Sequence, residues 1–367
     1  MTLAAVLLVV GLVVLAVGAD QLVVGASRLA LARGISPIVI GALVIGFGTS
    51  APELLVSGLA AADGDVDLGV GNIIGSNVAN LSLVLGLAAL VGVLAAGGRY
   101  IRVANHTLWR EGVISLGAVL LFWVLVQDGF ERWEGVVLLV AFAVAMTIIM
   151  LRSHASLAAR AVPVHKPIVQ SVELFRTALG LVATIAGAQL AVIGAVDIAE
   201  KVGWGSGFVG LSLVAFGTSL PELITGVQAA RRGETDLMVG NILGSNTFNS
   251  LLVSAVVALV GPGPLLDSNL SGLAVWIMVG VSVGAWVLMY EGEGLQRWWE
   301  GALLLAVYLV SLPFLISDHN QEVAFAASVP SASVSASSTV ASATVASGLT
   351  PIFLSVGDAA DAVTGFP

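Results

Sequence analysis

The nine residues G-F-G-T-S-A-P-E-L, Gly46 to Leu54, return as A-F-G-T-S-L-P-E-L, Ala215 to Leu223. They belong to a longer match. Residues 41–84 align without a gap to residues 210–253, at an offset of 169, with 23 identities in 44 positions. V-G-N-I-I-G-S-N (Val70 to Asn77) answers V-G-N-I-L-G-S-N (Val239 to Asn246), and Asn80 matches Asn249. The register reaches back, with Gly18, Gly25 and Gly34 against Gly187, Gly194 and Gly203.

The surroundings of these motifs are apolar. Of 367 residues, 58% are hydrophobic and 10% charged, and the mean hydropathy is +1.03. A soluble domain carries about 25% charged residues and could not hide this much apolar surface. With 14 Lys and Arg against 23 Asp and Glu, and no basic cluster, nucleic-acid binding is excluded. The absence of cysteine removes disulfides, thiolate zinc sites and iron–sulfur clusters.

A helix needs about 20 apolar residues to cross a bilayer. Ten stretches qualify: 3–26, 36–61, 68–93, 107–126, 132–152, 174–199, 205–230, 237–261, 270–290 and 298–316. They are too long and too uniformly apolar for barrel strands. The expected fold is an all-α polytopic membrane protein. Twelve of the 14 Lys and Arg lie in or beside loops on one side, and only Arg132 and Lys201 on the other. Positive charge stays inside, so both termini are expected outside the cytoplasm of a cell-membrane protein.

The offset of the repeat places five spans in each copy. Five is odd, so the second copy enters from the opposite side, and the halves are expected to be inverted. That architecture belongs to alternating-access transporters, with the site at the repeat interface near the midplane. The expected organisation is a first five-helix repeat over 1–152, a cytoplasmic connecting loop over 153–173 and an inverted second repeat over 174–317. A low-complexity Ser/Ala-rich extracytoplasmic tail follows over 318–367.

Glu53 and Glu222 sit near the centres of their spans, where a carboxylate is costly and faces a cavity or pathway. Thr49 and Glu53 are four apart and share a helix face with Ser50; Thr218, Ser219 and Glu222 repeat the pattern. Asn72, Ser76 and Asn80 form an i, i+4, i+8 stripe, as do Asn241, Ser245 and Asn249. Taken alone, these stripes suit interhelical hydrogen bonding. Beside two glutamates they make a hard-oxygen set suited to Ca²⁺ or Na⁺. Pro52 and Pro221, with Gly46, Gly48 and Gly217, are expected to break the helices and free carbonyls near Gly46 and Ala215. Two ionised carboxylates neutralise one Ca²⁺ and repel anions. Competition of Ca²⁺ and Na⁺ for one site exposed alternately to each side is antiport. An acidic loop, Asp63, Asp65 and Asp67, reads as solvated, and Asp20 as a boundary residue. An intramembrane enzyme finds no support: the Ser and Thr of G-T-S have no basic partner, and no cofactor is expected.

At the paired G-T-S-x-P-E and G-N-x-x-G-S-N motifs the sequence resembles the cation/calcium exchanger superfamily, specifically its prokaryotic sodium/calcium exchanger branch. The resemblance implies ten helices and Ca²⁺ extrusion coupled to Na⁺ entry. It implies ion ligands at Thr49, Ser50, Glu53, Ser76 and Asn80, and at Thr218, Ser219, Glu222, Ser245 and Asn249. The backbone carbonyls of Gly46 and Ala215 would join them. Some relatives carry Asp where Asn249 stands; here both copies are Asn, one acidic group fewer. Proton-coupled or K⁺-dependent Ca²⁺ exchange is the alternative.

Overall fold

The computed structural model describes residues 1–95, 105–151, 169–202, 215–291 and 297–316. Most of the expected connecting loop, the start of the span expected at 205–230, and the expected tail lie outside these residues. Among the described residues regular structure is helical, with one isolated antiparallel bridge between Phe130 and Gly263.

In chain order the helices are α1 (Thr2–Arg33), α2 (Pro37–Thr49), α3 (Ala51–Ala62), α4 (Val66–Leu94), α5 (Asn105–Leu125) and α6 (Arg132–Leu151). The second half adds α7 (Gln170–Val202), α8 (Ala215–Thr218), α9 (Leu220–Arg231), α10 (Thr235–Val260), α11 (Ser268–Tyr290) and α12 (Trp298–Ile316). Seven helices are long and apolar enough to cross a membrane, and the bent pair α2–α3 makes an eighth. Of the other two expected stretches, α5 has its apolar part at Glu111–Leu125, and the span at 205–230 is described only from Ala215. α1 runs past its expected end at 26. Arg28 and Arg33 lower the hydropathy there, yet the helix continues until Gly34 takes φ 62 and its N–H closes the last turn on Ala30 and Leu31.

The bundle is apolar outside, as a lipid-facing fold requires, and inside it combines an apolar core with a set of buried polar side chains. α10 and α4 are the most enclosed spanning helices. They bury Asn72, Ser76, Asn77, Asn80, Asn241, Ser245, Asn246 and Asn249. α1, α6 and α12 are the least enclosed, and α1 exposes Val6, Val9, Leu12 and Val13.

α1 and α7 lie backbone against backbone along their length. A Cβ on Gly11 would stand 2.3 Å from the Ala191 nitrogen, one on Gly18 2.6 Å from that of Thr184, and one on Gly187 2.3 Å from that of Leu15. Gly25 meets Thr177, Gly180 meets Leu22 and Gly194 meets Leu8 in the same way. Numbers rise along one helix as they fall along the other, so the pair is antiparallel. Glycine at every seventh position leaves a smooth groove, the small-residue mode of packing in lipid.

Gly187→Leu forces this contact apart, because backbone cannot yield as a side-chain tip can. Overpacking of a tight site costs about 1–3 kcal/mol, and the melting temperature of the solubilised protein is expected to fall by several degrees. Gly280 is the control, since a Cβ added there would meet nothing within 4 Å: Gly280→Leu leaves the melt unchanged.

Candidate functional site

The site begins where α2 breaks. Residues Gly41–Gly46 form a π-helical turn. Its glycines let α2 press against α10, with Gly41 beside the Leu237 carbonyl and Gly46 beside the Ser245 nitrogen. From the other side Gly240 meets Ile38 and Gly244 meets Ala42, so these two helices run parallel. At Ser50 the backbone leaves the helix (φ −82, ψ 7), and α3 starts at an angle of 45°. Ser219 makes the same break before α9 (φ −84, ψ 0).

Pro52 and Pro221 therefore occupy the first turns of new helices, where a missing N–H has no partner to lose. Glu53 and Glu222 follow directly, also in the first turn. The positive end of a helix dipole supports each carboxylate, a feature hidden while each span is read as one helix.

The expectation of a freed carbonyl at Gly46 is corrected. The break comes after Ser50, so the Ser50 N–H still bonds the Gly46 oxygen at 3.1 Å. Ser245 Oγ also donates to that oxygen, at 3.3 Å. Ala215, at the equivalent position, is the first described residue of α8.

The two halves exchange partners around the carboxylates. Ser50 Oγ donates to Glu222 Oε1 at 3.1 Å, and Thr49 and Ser245 also reach Glu222. Thr218 and Ser219 reach Glu53. Each glutamate thus lies against hydroxyl groups of the opposite copy of G-T-S, with the Thr49 proton given to the Ile45 carbonyl, and the two carboxylates lie close enough to act on each other. Both residues are 1% exposed. Among the described residues neither has an ion-pair partner. Among the described residues, Oε2 of each, and Oδ1 of Asn80 and Asn249, are buried acceptors without a donor. Thr49 Oγ1 bonds back to the Ile45 carbonyl at 2.9 Å and approaches Asn241 Oδ1 at 3.4 Å.

The Asn and Ser stripes divide. Asn72 Nδ2 donates to Ser57 Oγ at 2.9 Å, tying α4 to α3. Asn77 Nδ2 donates to Ser250 Oγ at 2.8 Å, and Asn246 Nδ2 to the Asn77 carbonyl at 3.2 Å. These bonds join α4 to α10, the interhelical role that polar residues play in lipid. The sequence pattern did not mark the last Asn of each G-S-N motif as a cross-link; its repetition in both copies was the available signal. Ser76, Asn80 and Asn249 are buried on the same two helices, and no hydrogen bond to a carboxylate is recorded for them. Asn80 and Asn249 each open a π-helical turn, Asn80–Val84 and Asn249–Val253.

Of the acidic loop, two members have structural roles. Asp65 caps α4 through the Leu68 N–H at 2.9 Å, and Asp67 accepts the N–H groups of Leu266 and Asp267. Asp20 pairs with Arg232 and is more than a boundary residue.

Residues 3–151 and 173–317 match the sodium/calcium exchanger protein family. The chain belongs to that family. It is 34% identical over 325 residues to the putative antiporter CaxA of Alkalimonas amylolytica, covering 84% of this chain and 97% of that one. The solved structure of the sodium-calcium exchanger NCX_Mj, at 31% identity, superposes with a TM-score of 0.74 over 85% of this chain and 99% of that one. The Ca(2+)/H(+) antiporter ChaA of Bacillus subtilis is 23% identical over 293 residues, 75% of this chain and 82% of that one. Exchangers of this family transport Ca²⁺ and Na⁺ and need no cofactor. This exchanger-family chain is a multi-pass membrane protein of the cation/Ca²⁺ antiport class.

Ser57→Ala removes the acceptor of the buried Asn72 amide. The expected loss is about 1–2 kcal/mol, read as a lower melting temperature of the solubilised protein, with Ca²⁺ affinity within about twofold of the parent.

Proposed function

We propose that this exchanger extrudes Ca²⁺ against Na⁺ entry, by alternating access of one central site. The chain forms ten spans in two inverted five-helix repeats, with both termini outside the cytoplasm. Supporting the inversion is the antiparallel run of α1 and α7, which the offset of 169 relates to each other.

The observation that carries the reading is the buried pair Glu53 and Glu222. Each is served by the other half's hydroxyls, and each has a carboxylate oxygen without a donor. An unpaired ion in a low-dielectric interior loses several kcal/mol of hydration. One Ca²⁺ compensates both at once. The ligand set is Glu53, Thr49, Ser50, Ser76, Asn80 and the Gly46 carbonyl, with Glu222, Thr218, Ser219, Ser245, Asn249 and the Ala215 carbonyl. Amides, hydroxyls, carbonyls and carboxylates are hard oxygen donors suited to Ca²⁺ and Na⁺. The orphaned Oδ1 atoms of Asn80 and Asn249 fit this role. The Ser50 N–H and the Ser245 and Thr49 hydroxyls already approach the Gly46 oxygen, so its carbonyl ligates after a hydroxyl turns away.

Na⁺ competes because it shares the donor chemistry and needs less charge. Several Na⁺ spread over two carboxylates replace one Ca²⁺, and a site that is never empty when it reorients couples the two flows.

Purified protein in Ca²⁺-loaded or Ca²⁺-free vesicles tests this. An imposed Na⁺ gradient is expected to drive Ca²⁺ uptake at constant pH. Uptake driven only by a pH gradient, with Na⁺ absent, replaces Na⁺ by H⁺ as the coupling ion. Glu53→Gln and Glu222→Gln each remove one buried charge from a desolvated ion contact worth about 2–5 kcal/mol. Transport is expected to fall by roughly 30-fold to several thousandfold, with insertion retained. Normal exchange in either variant overturns the assignment.

A further inference from the structure

α1 and α7 form one body. Besides their glycine contact, Arg28 Nη1 meets Glu173 Oε1 at 2.9 Å, and Arg176 meets the other oxygen at 3.1 Å. Gln170 bonds both Arg33 and the Ala32 carbonyl. This body lies on the lipid-facing side and covers the site: Leu181 packs on Gly48 and Val192 on Gly217, each glycine one residue before a G-T-S threonine. A shift of this body from α9 or α3 would uncover both glycines.

Among the described residues, the polar ties from this body to the rest of the bundle gather at one end. Arg232 Nε and Nη2 both bond Asp20 Oδ1, at 2.7 and 2.5 Å. Ser27 Oγ donates to Glu234 Oε1 at 2.6 Å, and Gln228 Nε2 approaches the Ala16 carbonyl at 3.4 Å. Gln228, Arg232 and Glu234 end α9 and lead into α10, so they sit at the exit of the helix that carries Glu222.

The repeat does not reproduce these ties. The offset of 169 puts Asp63 and Asp65 where Arg232 and Glu234 stand, and Gln189 and Val196 where Asp20 and Ser27 stand. Val196 has no hydroxyl, Asp65 is engaged with Leu68, and no bond from Asp63 to Gln189 is recorded among the described residues. Among the described residues the Asp20–Arg232 pair thus has no counterpart at the repeat-equivalent positions.

We propose that Asp20, Ser27, Arg232 and Glu234 are a one-sided clasp: they seat α1 and α7 on α9, and they part when the site opens toward the Arg232 side. They are positioning residues, acting on access and not on the ion. The clasp rests on the alternating-access reading above. A charged pair at a half-exposed position is weak by itself. Two bonds from one guanidinium, with the Ser27–Glu234 bond beside them, bias a two-state equilibrium by about five- to tenfold, and a modest bias suits a cycle that must visit both states.

The absence of cysteine gives the test a silent background. Thr225 is buried one turn beyond Glu222 toward Arg232, and Thr225→Cys supplies a single thiol. In vesicles of either orientation, with equal Na⁺ on both sides and no Ca²⁺, a membrane-impermeant thiol reagent is added on the Arg232 side. Labelling is expected to be slow in the parent and about five- to tenfold faster with Asp20→Asn or Arg232→Gln, from that side only. Combining Asp20→Arg with Arg232→Asp restores the slow rate. Unchanged labelling in the single variants, an equal rise from both sides, or no restoration by the exchange overturns the clasp. Should the ion-pair variants fail to insert, Ser27→Ala and Glu234→Gln must give the same side-specific rise; a flat response there also overturns it. Labelling needs no transport. Vesicles that move no Ca²⁺ yet show the side-specific rise therefore sink the antiport reading and leave the clasp standing.

Discussion

Two carboxyl groups, Glu53 and Glu222, are enclosed at the centre of a lipid-spanning bundle with no basic side chain paired to either among the described residues. Much else follows from keeping them there. Hydroxyls of the opposite copy approach each one, helix N-termini point their dipoles at both, and the most enclosed helices present amides and hydroxyls inward. An apolar core packs around them and holds the bundle together without their help. Retaining two acids at this depth makes sense for a site whose missing positive charge arrives from solution.

Close backbone packing makes that enclosure possible. α2 meets α10 through Gly41, Gly46, Gly240 and Gly244, so the break after Ser50 lies directly on Ser245 and Asn241. α1 meets α7 through a second series of glycines. The first contact builds the site and is fixed by side-chain ties between α4 and α10. The second makes a helix pair whose polar bonds to the rest, among the described residues, lie at one end; in the proposed cycle the first contact is the rigid part and this pair the cover.

Much of this was legible in the chain. The doubled G-T-S-x-P-E motif announced both glutamates and the hydroxyls around them, because the same three-and-four spacing appeared twice in apolar runs. Eight of the ten expected spans were legible because lipid enforces apolar stretches of nearly fixed length. Three features were not. Pro52 and Pro221 read as obstructions inside helices, yet they begin new ones, since the break falls at Ser50 and Ser219 and spares the Gly46 bond. The π-helical turns have no composition signal beyond their glycines or asparagines. The pairing of Asp20 with Arg232 joins residues 212 apart, and no local pattern points from one to the other.

Calorimetric Ca²⁺ binding to the purified protein, carried through a double-mutant cycle of Glu53→Gln and Glu222→Gln, goes most directly to the central claim. One shared cation predicts a single Ca²⁺ per chain, and losses that do not add: either single variant loses nearly as much affinity as the double. Two independent binding events, each surviving removal of the other glutamate, would contradict it.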